Sequence, residues 1–389
     1  MSTVAITVGG DHRRVAIVLG TRPESIKLAG VIKLLGPGAV VVHTSQHHHR
    51  SLSGEVHRTL GLRDAQWEHL GIVDDRRGAQ LGRAVAALDR VFTTTRPWSV
   101  IVQGDTTSAV AGALAANAND LPLVHVEAGL RSFDRRMPEE HNRVVIDHLA
   151  DLCCAPTPLN RQNLVREGID PARIAVTGNT VVEAVLSMLP PRPERHDLVR
   201  ARGVVPGDYV LATLHRPENV DDPTALRGVL TALGSLPAPV VLPLHPRTAA
   251  RVEQHGLTPL LGPLRVTNPL EYREMLAMAK ECALLLTDSG GLQEEATVLR
   301  CPFVVVRRST ERPESEGTFG VRVPTAAELA PVARRWLADA KRRRAELRSL
   351  PSPFGDGTAS RRVVDLLDSL LAARAAPGHS WSASTAPMT

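Results

Sequence analysis

Two carboxylates stand out by where they fall in the chain. Asp105 follows an apolar run, Val100–Gln103, within Gly104-Asp105-Thr106-Thr107. Glu127 follows another, Leu123–Val126, within Glu127-Ala128-Gly129-Leu130-Arg131. Both runs read as buried parallel strands, and open α/β sheets bind ligands just beyond the carboxyl ends of their strands. A third carboxylate, Glu139, lies in Met137-Pro138-Glu139-Glu140-His141-Asn142-Arg143, which reads as a helix start. Acids in a first turn often serve only the helix dipole. Several carboxylates at one mouth, however, shift each other's pKa and suit proton transfer.

The second half carries a different chemistry. The run Ala283–Thr287 leads into Asp288-Ser289-Gly290-Gly291-Leu292-Gln293-Glu294-Glu295. A Ser-Gly-Gly turn that opens a helix presents backbone N–H groups with no side chain in the way, which suits a phosphate. Glu295, further along that helix, is placed to accept hydrogen bonds from ribose hydroxyls. Arg312, in Thr310-Glu311-Arg312-Pro313-Glu314, is within reach of the same phosphates by sequence order. The pattern is neither GxGxxG nor GxxxxGK[ST], so neither a dinucleotide fingerprint nor a P-loop is supported. Two further strand ends carry His215-Arg216-Pro217-Glu218-Asn219 and His245-Pro246.

Near the N-terminus, Gly20-Thr21-Arg22-Pro23-Glu24-Ser25-Ile26-Lys27 follows the run Val15–Leu19. Pro23 suits a first helical turn, and a helix N-terminus flanked by Arg22 and Lys27 suits an anion. The segment Thr44-Ser45-Gln46-His47-His48-His49 raises the question of a metal. Consecutive side chains diverge on either a strand or a helix, so a polar loop is expected there and no metal site.

These residues need elements to hold them. Apolar runs at Val15–Leu19, Val40–His43, Val100–Gln103, Leu123–Val126 and Leu152–Ala155 alternate with helical stretches. A second series follows at Tyr209–Thr213, Val240–Leu244, Ala283–Thr287 and Phe303–Val306. They are apolar throughout rather than alternating, as in strands buried on both faces. Strand–helix alternation of this kind predicts doubly wound parallel sheets. Pro190, Pro191, Pro193 and charged residues crowd between Leu189 and Pro206 and mark a domain boundary. The expected division is an N-terminal Rossmann-like domain over 1–189 with the carboxylates, and a C-terminal one over 190–358 with the phosphate cradle. A helix over 359–374, packing back toward the first domain, and a disordered tail over 375–389 complete it.

Composition narrows the partners. Hydrophobic residues at 43% and charged residues at 22% describe a globular chain, not a fibrous or disordered one. No apolar run reaches the ~18–20 residues of a membrane span, and the N-terminus lacks the pattern of a secretion signal, so a cytoplasmic protein without a membrane partner is expected. The net charge is +5, yet only Lys27, Lys33, Lys280 and Lys341 are lysines among the 46 basic residues. That arginine bias reflects GC-rich coding, and aromatics at 3% disfavour base stacking. Nucleic acid is therefore not an expected partner. Cys153, Cys154, Cys282 and Cys301 have neither disulfide-framework nor zinc spacing.

The motifs named above, in this order, resemble the non-hydrolysing UDP-N-acetylglucosamine 2-epimerase family over about Arg14 to Leu371. The resemblance implies an α/β GT-B fold of two Rossmann-like domains with parallel sheets facing a central cleft, and a homodimer. It implies a cofactor-free reaction: UDP-GlcNAc loses UDP by anti elimination across C1–C2, and the bound 2-acetamidoglucal takes UDP back to give UDP-ManNAc. Carried over by motif, Asp105, Glu127 and Glu139 are the acid/base set and His215 assists the departing diphosphate. Arg22, Lys27, Gln46, His47, Arg216, His245, Ser289, Gly290, Gly291, Glu295 and Arg312 are implied to bind UDP and sugar. Relatives with a second, activating UDP-GlcNAc site use an Arg-Gln pair that falls near Gly78 and Ala79 here, which implies weakened substrate activation. The loop between Arg131 and Glu139 and the run after Arg312 are shorter than is usual in the family. The alternatives are a hydrolysing 2-epimerase that releases ManNAc and UDP, a 2-epimerase for a modified UDP-HexNAc, a GT-B glycosyltransferase, and a nucleotide-sugar-binding regulator without turnover.

Overall fold

The structure, a computed structural model, describes residues 14–45, 61–62, 64–73 and 76–375. Gln46, His47, His48 and His49 lie outside the described residues, as does the chain beyond Ala375. The described chain divides into two compact units, one of residues 1–184 with 355–389 and one of 185–354.

The first unit is a seven-stranded parallel sheet in the order β3-β2-β1-β4-β5-β6-β7. Its strands are β1 Val15–Leu19, β2 Ala39–His43, β3 Gln66–His69, β4 Ser99–Gln103, β5 Leu123–Val126, β6 Leu152–Ala155 and β7 Ile174–Val176. Between them run α1 Arg22–Leu35, α2 Arg77–Thr95, α3 Thr107–Ala118, α4 Pro138–Leu149, α5 Pro158–Arg166 and α6 Val181–Met188. The interior strands β1, β2, β4, β5 and β6 are buried at every position, which explains their unbroken apolar runs. Strand order reverses between β1 and β4, so the ends of β1, β4 and β5 meet at the switch point where such sheets bind ligands.

The second unit repeats the plan with six parallel strands in the order β10-β9-β8-β11-β12-β13. These are β8 Val210–Thr213, β9 Val240–Pro243, β10 Arg265–Thr267, β11 Leu284–Thr287, β12 Phe303–Val306 and β13 Gly320–Val323. Its helices are α7 Arg192–Ala201, α8 Pro217–Val220, α9 Pro223–Gly234, α10 Pro246–Gln254, α11 Tyr272–Glu281, α12 Gly290–Leu299, α13 Ala326–Ala338 and α14 Ala340–Leu347. The chain then returns to the first unit as α15, Ala359–Ala375, which packs on α1 and β6. Val363, Leu367, Leu370 and Leu371 are buried on its inner face.

Four strands were not expected from the sequence: β3, β7, β10 and β13. All four are sheet edges: β3 and β10 are half-buried or exposed and carry no continuous apolar run, β7 is an apolar run of only three residues, and Arg322 interrupts β13. The helix expected to end at 374 continues through Ala375, a position assigned to the disordered tail on sequence grounds. The partition falls inside α6, a few residues before the proline-rich segment.

Candidate active site

The turn after β1 opens α1. Thr21 is the N-cap and Glu24 the third helical residue, and each satisfies the other's backbone in a capping box. The buried Glu24 carboxylate accepts from Gly20 N at 3.0 Å, Thr21 N at 2.8 Å and Thr21 Oγ1 at 2.7 Å. Its other oxygen accepts from Thr106 Oγ1 at 2.7 Å. Burial pushes the Glu24 carboxyl up, against these hydrogen bonds from Thr106, Thr21 and Gly20. The chain's own Glu24 carboxyl thus caps this helix start. Arg22 is half-buried beside it.

Lys27 is one helical turn further on and is turned inward. Its Nζ lies 2.5 Å from Glu127 Oε2, across 100 residues of sequence, and both side chains are buried. Gln103 Nε2 donates to the same oxygen at 2.8 Å. Lys27, a substrate-binding residue on the resemblance, has its ammonium against a carboxylate in the structure. Glu127 itself has φ 70°, a left-handed conformation that costs a non-glycine residue about 1–2 kcal/mol. Such strain persists only where surrounding structure enforces it, and it clusters at functional sites.

Asp105 ends the neighbouring strand β4 and forms an ion pair with Arg143 of α4. Arg143 also bonds Glu140 at 2.6 Å. Asn142 donates from Nδ2 to the Asp105 carbonyl at 2.7 Å and accepts at Oδ1 from Arg77 Nη2 at 2.5 Å. Arg77, which stands beside the degenerate Gly78-Ala79 pair, is therefore engaged with the first turns of α4. Glu140 is buried and accepts from the Ser132 and Phe133 backbone N–H groups at 3.0 and 2.9 Å. Glu139, the neighbour predicted to act, is half-buried with no side-chain hydrogen bond among the described residues. The first unit therefore brings Asp105, Glu127 and Lys27 to adjoining strand ends.

In the second unit, β8 delivers His215 and β11 delivers Asp288. His215 Nδ1 donates to Asp288 Oδ1 at 3.1 Å. The fully buried Asp288 also accepts from the backbone N–H of His215 at 3.0 Å and of Arg216 at 2.9 Å, and from Asn219 Nδ2 at 3.1 Å. Burial alone would raise the Asp288 carboxyl; the His215 bond and charge, with the Arg216 and Asn219 bonds, hold it below the usual carboxylate range. His245 caps α10, exposed, with its ring 5.6 Å from that of His215.

Ser289 caps α12, and its side chain accepts from Leu292 N at 3.4 Å. Gly290 and Gly291 form the first turn, as the cradle reading requires. A Cβ at Gly290 would lie 2.6 Å from Arg312 Nη1, so only glycine lets this guanidinium pack against the helix start. A Cβ at Gly291 would meet nothing within 4 Å. Arg312 is held by Glu294 at 2.7 Å and Glu311 at 3.1 Å, and Glu311 is gripped in turn by the buried Arg307 at 2.8 Å. Glu295 is half-buried and accepts from Tyr272 Oη at 3.3 Å. Asp288, Glu294, Glu311 and Arg143 stand inside the quoted motifs without roles read from the sequence; for Asp288, Glu294 and Arg143, partners come from distant segments. Among the described residues no three metal-ligating side chains gather, and no helix is long and apolar enough to cross a membrane.

Two Rossmann-like units with these strand-end sites define a two-domain α/β protein of GT-B type. The chain belongs to the UDP-N-acetylglucosamine 2-epimerase family, whose sequence profile matches residues 38–368. It is 37% identical over 368 residues to the UDP-N-acetylglucosamine 2-epimerase of Methanocaldococcus jannaschii, covering 91% of this chain and 98% of that one. It is 34% identical over 368 residues to the UDP-2,3-diacetamido-2,3-dideoxy-D-glucuronate 2-epimerase of Pseudomonas aeruginosa, covering 92% and 100%. The crystal structure of the M. jannaschii enzyme in complex with UDP-GlcNAc and UDP superposes with a TM-score of 0.82 at 35% identity, covering 91% of this chain and 99% of that one.

Proposed function

We propose that this chain interconverts UDP-GlcNAc and UDP-ManNAc without hydrolysis and without a cofactor. A base takes the proton from C2 as the C1–O bond to UDP breaks, which leaves 2-acetamidoglucal and UDP bound. Reprotonation on the other face of C2, with UDP adding back at C1, gives the epimer. Two faces of one carbon call for more than one proton-transfer group, and Asp105, Glu127 and Glu139 form that set.

The observation that carries this reading is Glu127, held in a left-handed backbone conformation at the end of β5 with Lys27 at 2.5 Å. An ammonium in contact favours the ionised, proton-accepting form of a carboxylate. His215 assists the departing diphosphate. Its Nδ1 is held by Asp288, which orients the ring and sets its tautomer. Ser289, Gly290, Gly291 and Arg312 receive the diphosphate, Glu295 the ribose, and Arg22, Arg216 and His245, with Gln46 and His47, complete the contacts. On this reading the protein is a cytoplasmic homodimer that contributes to cell-surface polysaccharide synthesis.

Incubation with UDP-GlcNAc in D2O, followed by NMR, tests the reaction. Deuterium at C2 of a product that still carries UDP is expected. Free ManNAc as the sole sugar product would indicate the hydrolysing chemistry, and absence of C2 exchange would refute epimerisation of this substrate. The likeness to the P. aeruginosa enzyme favours one second reading, a 2,3-diacetamido uronate sugar. Exchange with that UDP-sugar but not with UDP-GlcNAc would select it.

A further inference from the structure

Behind Asp105 and Glu127 lies a fully buried histidine, His125, on β5. Its Nε2 is 2.8 Å from the carbonyl of Gly104, the residue before Asp105. Its Nδ1 is 2.6 Å from Asp147 Oδ1 on α4. Both neighbours are acceptors and lie within hydrogen-bond distance of the two ring nitrogens. Asp147 Oδ2 accepts from Gly129 N at 3.2 Å, two residues past Glu127, and from Arg131 at 2.7 Å. Burial would raise the Asp147 carboxyl, and the charges and hydrogen bonds of His125 and Arg131 hold it below the usual carboxylate range. The Gly104 peptide is gripped from its other side as well, because its N–H donates to Val126 O at 3.0 Å.

A buried histidine is most often a satisfied core group and nothing more. This one is different in where its bonds end. One reaches the turn that carries Asp105, and the other reaches, through Asp147, the turn that carries Glu127. Both turns contain left-handed residues, Gly104 at φ 69° and Glu127 at φ 70°, which need outside contacts to hold them.

We propose that His125 is a positioning residue: its ring ties the Gly104–Asp105 turn to Asp147, and through Asp147 to the Glu127–Gly129 turn, and so fixes the two carboxylates relative to each other. The proposal rests on the roles given above to Asp105 and Glu127. The two single-bond mimics separate it from simple core filling. His125→Gln places an amide N–H near the former Nε2 and keeps the bond to Gly104. His125→Asn places one near the former Nδ1 and keeps only the bond to Asp147.

With UDP-GlcNAc, His125→Asn is expected to lose about 10–100-fold in kcat with KM nearly unchanged, as a small misplacement of reacting groups does. His125→Gln, which loses the Asp147 bond, is expected to lose a similar factor in kcat, and both variants to melt near the wild-type temperature. Near-full kcat in either variant would overturn the proposal, and so would failure of both to fold, which would assign the ring to stability alone. A second readout needs no turnover. Hydrogen exchange should be faster than in the wild type at the 104–109 amides in His125→Asn and at the 127–131 amides in His125→Gln. Unchanged exchange in both segments would overturn the proposal even if the wild type placed no deuterium at C2, a result that by itself would remove the proposed function instead.

Discussion

Glu127 concentrates several costs at one position: a left-handed backbone, a buried carboxylate and a buried ion pair with Lys27. Breaking a buried pair from one side costs about 3–5 kcal/mol, so truncating Lys27 would confound stability with chemistry. Glu127→Gln breaks the same pair from the other side, so its melting temperature is read beside its kcat. Asp105→Asn and Glu127→Gln keep shape and remove proton transfer, so each should lower kcat by about 10²–10⁴-fold. UDP affinity, measured by calorimetry, should persist, because the groups assigned to the diphosphate belong to the other unit. Near-full turnover in either variant would remove that residue from the acid/base set, and lost UDP binding would make its role structural. The types and order of these residues were readable in the sequence, whereas their partners were not. Lys27 meets Glu127 from 100 residues away, and no local spacing encodes that pairing. The same holds for Arg143 on Asp105 and for Glu294 on Arg312.

At the scale of elements, interior strands announce themselves and edge strands do not. β1, β4, β5, β6 and β12 were evident as apolar runs because both of their faces are covered. Gln66–His69 and Arg265–Thr267 have half-exposed side chains and read as loop. The turn after β5 shows how an element constrains chemistry. Gly129 has φ 80°, and a Cβ there would lie 2.4 Å from the Asn160 carbonyl at the start of α5. Neither the backbone of α5 nor the turn can yield cheaply. Gly129→Ala is therefore expected to destabilise the first unit by about 2–5 kcal/mol, the sum of a left-handed penalty and an overpacking penalty. Urea unfolding measures this, and a shift below about 1 kcal/mol would show that the turn relaxes.

At the scale of the whole molecule, the first unit is closed by the far end of the chain. Six large apolar side chains of α15 are buried, Val363, Val364, Leu366, Leu367, Leu370 and Leu371. Gly30 of α1 approaches that segment so closely that a Cβ would lie 2.3 Å from Ser360 Oγ. At about 1.5–3 kcal/mol per buried side chain, truncation after Phe354 should remove most of a typical domain's 5–15 kcal/mol. In a thermal melt followed by circular dichroism, the truncated chain should lose the first unit's transition and keep that of the second. An unchanged melt would show that α15 is dispensable.

The chain leaves the first unit through α6 and re-enters it at Gly355, where a Cβ would lie 3.0 Å from Gly178 Cα, three residues before that helix begins. Exit and return are therefore neighbours. A segment whose two ends emerge side by side behaves as a cassette, the arrangement in which domain insertion is best tolerated. Residues 185–354 could be lifted out and a short bridge closed over the gap. The same geometry lets one unit be replaced while the two chain ends on the other stay where they are.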